Sequence, residues 1–202
     1  MVFAGRFDEF KNPPLMFKAL RQVHDRLGGN FEFHYIGTSD RRYAEFELVR
    51  AFTTFHGFRT SREVAEIMKR CHAGILTSWF EGMPCYLLEL MSVGRPVVAV
   101  SLPQYTLVIE QGKSGYLVER EDDAGRLLDD EHLACELSDR LMDVWSATGT
   151  KRCPQLRSAN ALYLSQSRFN SINILRDIDN SLPGRLPDAV CLDYVSKRAR
   201  TA

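Results

Sequence analysis

No stretch of this sequence approaches the eighteen or so apolar residues that a helix needs to cross a bilayer. The N-terminus lacks the basic-then-apolar layout of a secretory signal peptide, so a cytoplasmic location is expected. Charge of neither sign is in excess: 26 Lys and Arg balance 26 Asp and Glu. No basic stripe argues for nucleic acid, and the cationic cluster Lys197-Arg198-Ala199-Arg200 sits in the tail. The Cys-x-x-Cys pair is absent as well. Cys71, Cys85, Cys135, Cys153 and Cys191 are scattered, which suggests neither a zinc site nor a disulfide framework and fits reduced thiols. His24, His34, His56, His72 and His132 show no ligand spacing. No Gly-x-Gly-x-x-Gly follows the first predicted strand, which counts against an NAD enzyme.

What is present is ordinary globular material, 45% hydrophobic and 26% charged over 202 residues, enough to bury a core. Val2-Phe3-Ala4-Gly5 reads as a buried strand. Asn12 is expected to cap a helix with Pro13 in its first position, carrying Leu15, Ala19, Leu20, Val23 and Leu27 inward until Gly28-Gly29 ends it. Phe31 to Gly37 is a strand, Asp40 to about Phe52 a second helix, and Thr53 to His56 a short strand. Thr60-Ser61-Arg62-Glu63 is a capping box that opens a third helix. Ala73 to Thr77, Pro96 to Val100 and Gly115 to Val118 complete the strands.

Strands alternating with helices of about ten residues imply an α/β domain, a Rossmann-like parallel sheet with helices on both faces. That domain is expected over 1–132. C-terminal helices over 133–182 are expected to pack on it, with Leu133, Leu137, Leu141 and Trp145 on one face and further helices at Leu156 to Leu164 and Phe169 to Ile178. Residues 183–202 read as an irregular tail, and Asp177-Ile178-Asp179 as solvated charges rather than a metal motif.

Two motifs carry the chemistry. Glu81 and Glu89 stand eight positions apart, with a turn through Gly82, Met83 and Pro84 between them and the strand Gly94-Arg95-Pro96-Val97-Val98 after. A helix start there directs backbone N–H groups toward phosphate or sugar oxygens, and the carboxylates accept from hydroxyls. Gly5-Arg6-Phe7-Asp8-Glu9-Phe10-Lys11-Asn12, about seventy residues earlier, places two cations after the first strand. Ligands of such sheets bind beyond the C-terminal strand ends, where both motifs fall.

Together these segments resemble, from about Val2 to about His132, the donor half of retaining glycosyltransferases with the two-domain GT-B fold, family 4. The resemblance implies binding of a nucleoside-diphosphate sugar and its transfer, with anomeric configuration kept, to an acceptor hydroxyl. By the same resemblance Arg6 and Lys11 grip the diphosphate, Glu81 lies by the donor sugar and Glu89 holds the ribose. Gly82, Met83, Pro84, Cys85 and Tyr86 form the helix start, with Pro84 in the first helical position and the N–H groups of Cys85 and Tyr86 free for the donor. Cys85 is read as a small packing residue rather than a nucleophile. Phe58 and Arg59 occupy the loop that lies near the base in relatives. Asn12 replaces the glycine that relatives often carry after the lysine. Gly37 is either a close-approach or a plain turn glycine.

No metal cofactor is implied. The resemblance also implies a separate acceptor-binding domain or partner chain, because the chain starts within its first strand. A non-catalytic nucleotide-sugar-binding subunit or a truncated fragment that needs a separate acceptor domain, and a sugar-nucleotide epimerase, remain the alternatives.

Overall fold

The computed structural model describes residues 1–38, 43–82 and 84–149. The segments Val2–Ala4 (β1), Phe33–Ile36 (β2), Thr53–Phe55 (β3), Gly74–Leu76 (β4), Val97–Val100 (β5) and Gly115–Val118 (β6) form one six-stranded sheet in the order β3-β2-β1-β4-β5-β6. Every pairing is parallel. The helices are Pro13–Arg26 (α1), Ser61–Arg70 (α2), Cys85–Ser92 (α3) and Asp130–Gly149 (α4).

From β1 the order runs outward in one direction through β2 and in the other through β4. Parallel crossovers are right-handed, so α1 and α3 must lie on opposite faces of the sheet. The packing agrees: α4 lies along α1 and against β5, whereas α2 packs on α3. Leu133, Leu137, Leu141 and Val144 form the buried stripe of α4, and Trp145 lies 4.7 Å from the His72 ring. Burial of each such aliphatic side chain contributes about 1.5–3 kcal/mol, which makes α4 part of the core. Under α1 the rings of Phe3, Phe7 and Tyr35 stack, with Phe7 and Tyr35 centroids 4.0 Å apart.

Gly37 is a close-approach glycine. A Cβ there would stand 2.2 Å from the carbonyl oxygen of Gly5, so the chain after β2 can lie against the chain after β1 only without a side chain.

Three local expectations are corrected. The helix expected over residues 40–52 is instead two 3₁₀ turns, Ala44–Leu48 and Arg50–Phe52. They still bury Phe46 and Val49; so short a segment cannot sustain an α-helical nucleus, and packing sets its path. Asn12 is the N-cap of α1, but its side chain makes no capping bond; the residue takes φ 45°, ψ 60°. Left-handed backbone suits glycine best and asparagine next, which is the physical sense of the glycine-to-asparagine exchange. Pro84 is the N-cap of α3 rather than its first residue. The helices expected at 156–164 and 169–178 lie outside the described residues, as do Asp177 and Asp179.

Candidate active site

The strand order reverses between β1 and β4, which opens a crevice at the C-terminal ends of those two strands. The first motif leaves β1 and the second leaves β4, so sheet topology brings them together across seventy residues of sequence. Thr77, at the end of β4, donates from its hydroxyl to the carbonyls of Lys11 (2.7 Å) and Asn12 (3.1 Å). The Trp79 N–H donates 2.8 Å to the carbonyl of Phe10. These bonds fix the Lys11 backbone beside the Glu81 loop.

Lys11 Nζ is ion-paired to Glu81 Oε1, and the Ser78 hydroxyl donates 2.8 Å to the same oxygen. The pair is largely buried, with side-chain exposures of 22% and 11%. Arg6, by contrast, is exposed and makes no hydrogen bond or ion pair with a described residue. The two cations therefore differ: one is held by a carboxylate, the other open.

On the far side of the crevice α3 begins at Cys85. The Leu87 N–H bonds back to Pro84, while the helix geometry provides no intrahelical partner for the N–H groups of Cys85 and Tyr86. The Cys85 thiol is exposed rather than packed. The Tyr86 side chain turns away from the crevice into the core, donating its hydroxyl to the Val2 carbonyl. Burial pushes its pKa well up. Only its N–H can serve a ligand. Gly82 is exposed, with no atom within 4 Å of a would-be Cβ. Glu89 is half-buried one helical turn beyond Cys85. Met83 lies outside the described residues.

Phe58 and Arg59 follow β3, two strands from β1 on the same edge of the sheet. Phe58 is exposed and its carbonyl accepts 2.9 Å from Arg59 Nη1. No hydrogen bond or ion pair joins them to the Lys11–Glu81 pair.

Sequence reasoning missed a third layer. Arg120, two residues after β6, donates 2.6 Å from Nη2 to the Ser78 carbonyl and lies 4.6 Å from the Trp79 ring centre. Gln104 donates to the Glu81 carbonyl. Tyr105 is fully buried; its hydroxyl pKa is raised, by burial first and by Glu81 second, while Ser78 and Arg120 act the other way. Burial also lowers the Arg120 pKa. No motif marks these residues. The sole signal was their place after β5 and β6, at the same edge of the sheet. Phe10, Trp79 and Phe80 ring the crevice with exposed aromatic surface. Among the described residues no group of three or more His, Cys, Asp or Glu side chains is placed to hold a metal ion.

Residues 1–130 match the family described as glycosyl transferases group 1. The chain belongs to that family. Among curated members, the D-inositol 3-phosphate glycosyltransferase of Stackebrandtia nassauensis is 27% identical over 135 residues, 60% of this chain and 30% of that one. The Vi polysaccharide biosynthesis protein VipC/TviE of Salmonella typhi is 32% identical over 99 residues, 48% of this chain and 16% of that protein. The chain spans about a third of the length of the curated relatives it first matches.

Solved structures agree on the fold. The pneumococcal O-GlcNAc transferase GtfA, in complex with UDP and GlcNAc, superposes with a TM-score of 0.70 at 18% identity, over 89% of this chain and 34% of that one. The C-terminal domain of the group 1 glycosyl transferase LpcC from Francisella tularensis gives 0.64 at 18% identity, over 84% and 85%. The sheet of this group 1 member is thus the Rossmann-like half of a GT-B fold. No helix among the described residues is long and apolar enough to cross a membrane.

Proposed function

We propose that the chain is the donor-binding half of a retaining glycosyltransferase that takes a nucleoside-diphosphate sugar. The supporting observation is the Lys11–Glu81 pair at the β1/β4 switch point, where a cation and a carboxylate from the two motifs meet beside the start of α3. In this reading the diphosphate lies between Arg6, Lys11 and the N–H groups of Cys85 and Tyr86. Lys11 exchanges its carboxylate partner for phosphate oxygens and, with Arg6, stabilises the charge that develops on the leaving diphosphate. Glu81, released from Lys11, orients the sugar, and Glu89 accepts from the ribose hydroxyls. Gly82 lies in the turn; Phe58 and Arg59 approach the base. The cations and helix dipole do the work without a bound metal.

The transfer step also needs an acceptor site, which we assign to a second domain or partner chain closing over the aromatic rim. Positioning of the acceptor supplies much of the rate of a two-substrate reaction. The test is a thermal-shift screen of nucleoside diphosphates and their sugar derivatives, since a ligand that binds only the folded state raises its stability. At least one nucleoside diphosphate should stabilise the chain, and Lys11→Ala should reduce that shift. No shift with any base, or equal shifts in the variant, overturns the reading.

A further inference from the structure

The second face of the sheet carries an open hollow of about 310 Å³ at its β3 end, lined by α2 and by His56. Arg59, Arg62, Glu63, Glu66 and Arg70 line it, at helical spacings that place them on one side of α2 and its N-terminal turn. Three guanidiniums therefore converge with two carboxylates. The carboxylates are already committed to their own helix. Glu63 accepts from the Thr60 N–H (2.8 Å) and hydroxyl (2.7 Å), closing the capping box, and Glu66 accepts 2.7 Å from Lys69. Arg62 and Arg70 make no hydrogen bond and no ion pair with a described residue.

The His56 side is polar as well. His34 Nδ1 and His56 Nε2 stand 3.0 Å apart, so one imidazole donates to the other. Burial lowers the His56 pKa; the nearby Arg59 and Arg70 charges act in the same direction and Glu32 opposes them. Two guanidiniums that make no hydrogen bond to a described residue, a third ion-paired to Glu63 and an imidazole outnumber the two carboxylates around one hollow, so the lining carries a net positive charge and N–H donors suited to a phosphate. The volume is at the low end for small-molecule sites and suits a phosphate monoester with a short alcohol. The donor crevice lies elsewhere, at the β1/β4 switch point, two strands from β3.

We propose that this cavity is a second anion site, taking the phosphate group of a small phosphate ester or of a lipid headgroup through Arg62, Arg70 and His56. The proposal does not depend on the donor reading. The experiment measures binding of glycerol 3-phosphate by titration calorimetry at fixed ionic strength, and co-sedimentation with phosphatidylglycerol vesicles against phosphatidylcholine ones. Wild type, Lys11→Ala and Arg62→Ala/Arg70→Ala are compared; both arginines are exposed, so the double variant should fold. Fixed ionic strength removes screening as an explanation.

The expected result is saturable binding that Lys11→Ala preserves and the double variant weakens about tenfold or more. Binding in the soluble arm identifies a free ester, and binding confined to phosphatidylglycerol vesicles identifies a headgroup. Absence of binding in both arms, or equal binding by wild type and the double variant, overturns the proposal. Loss in Lys11→Ala with retention in the double variant also overturns it, because the anion would then sit in the donor crevice.

Discussion

Arg120 reaches across from the loop after β6 and donates 2.6 Å to the carbonyl of Ser78, which in turn donates its hydroxyl to Glu81. The guanidinium also lies over the Trp79 ring. Loops from two distant strands are thereby joined under the carboxylate that faces Lys11. The local geometry of the Glu81 loop rests on this bond, on Gln104 and on the Thr77 hydroxyl.

Arg120→Ala should therefore both destabilise the fold and loosen the crevice. A hydrogen bond from a charged donor is worth about 1.5–3 kcal/mol, and its loss leaves the Ser78 carbonyl without this partner. Urea unfolding reads the first effect, and titration with a nucleoside diphosphate should show weakened affinity. An unchanged urea midpoint would mean that the stacked guanidinium adds nothing to the loop.

The Lys11–Glu81 pair yields a sharper contrast. If Lys11 must leave Glu81 to hold phosphate, Glu81→Gln removes the competitor, and the bare nucleoside diphosphate should bind as well as or better than in wild type. The sugar nucleotide should lose affinity, because its hexose loses the carboxylate. Lys11→Ala should weaken both ligands about tenfold or more, on the order of 1.5–3 kcal/mol. Parallel calorimetric titrations of the two ligands check this; equal losses for both in Glu81→Gln would detach the carboxylate from the sugar.

Glu89 separates ribose recognition from a purely structural role. Glu89→Gln keeps shape and loses charge, so affinity for a ribonucleoside diphosphate should fall. Affinity for the 2′,3′-dideoxy analogue should change little. Equal losses with both ligands would place the carboxylate's effect in the fold of α3.

Much of the sheet was legible in the sequence, because a parallel buried strand is a continuous apolar run and Val97-Val98-Ala99-Val100 is one. The Thr60–Glu63 capping box was equally plain, since its partners stand three residues apart and both bonds form. The meeting of Lys11 with Glu81 followed from the rule that motifs after parallel strands share an edge. Arg120 and Gln104 were illegible for the opposite reason. Their contacts span 42 and 23 residues and depend on loop paths that no periodicity encodes. Tyr86 looked like a site residue by position, yet the helix phase sends its ring inward to Phe3, 5.4 Å away. The 3₁₀ turns near Phe46 were misread because a 3.6-residue pattern over so few residues does not specify an α-helix.

Asn12 tests the left-handed backbone directly. At φ 45° a Cβ costs about 1–2 kcal/mol in a residue without asparagine's tolerance, so Asn12→Ala should lower stability by about that amount. Asn12→Gly should be neutral or stabilising, because it relieves the conformation and removes a buried Nδ2 without a hydrogen-bond partner. Chemical denaturation of both variants decides it. Equal destabilisation by Ala and Gly would assign the residue's value to its side chain instead.

The histidine pair predicts an acid-sensitive fold. Burial lowers the pKa of both His34 and His56; Arg70 acts in the same direction on each, Arg59 on His56 and the Met1 amino group on His34, while Glu32 opposes. A lowered imidazole pKa means that the unfolded chain takes up the proton first. The pair's contribution is then fully present above about pH 6.5, the ordinary imidazole value, and is lost as pH falls toward the folded-state values. His132 works in the opposite sense, because Asp129 raises its pKa. Comparison with a His34→Gln/His56→Gln variant cancels that term, since both proteins share it. The wild-type thermal midpoint should fall more steeply than that of the variant between about pH 7 and pH 5, a window above the carboxylate titrations. Parallel slopes would mean that the two imidazoles titrate alike in the folded and unfolded chain.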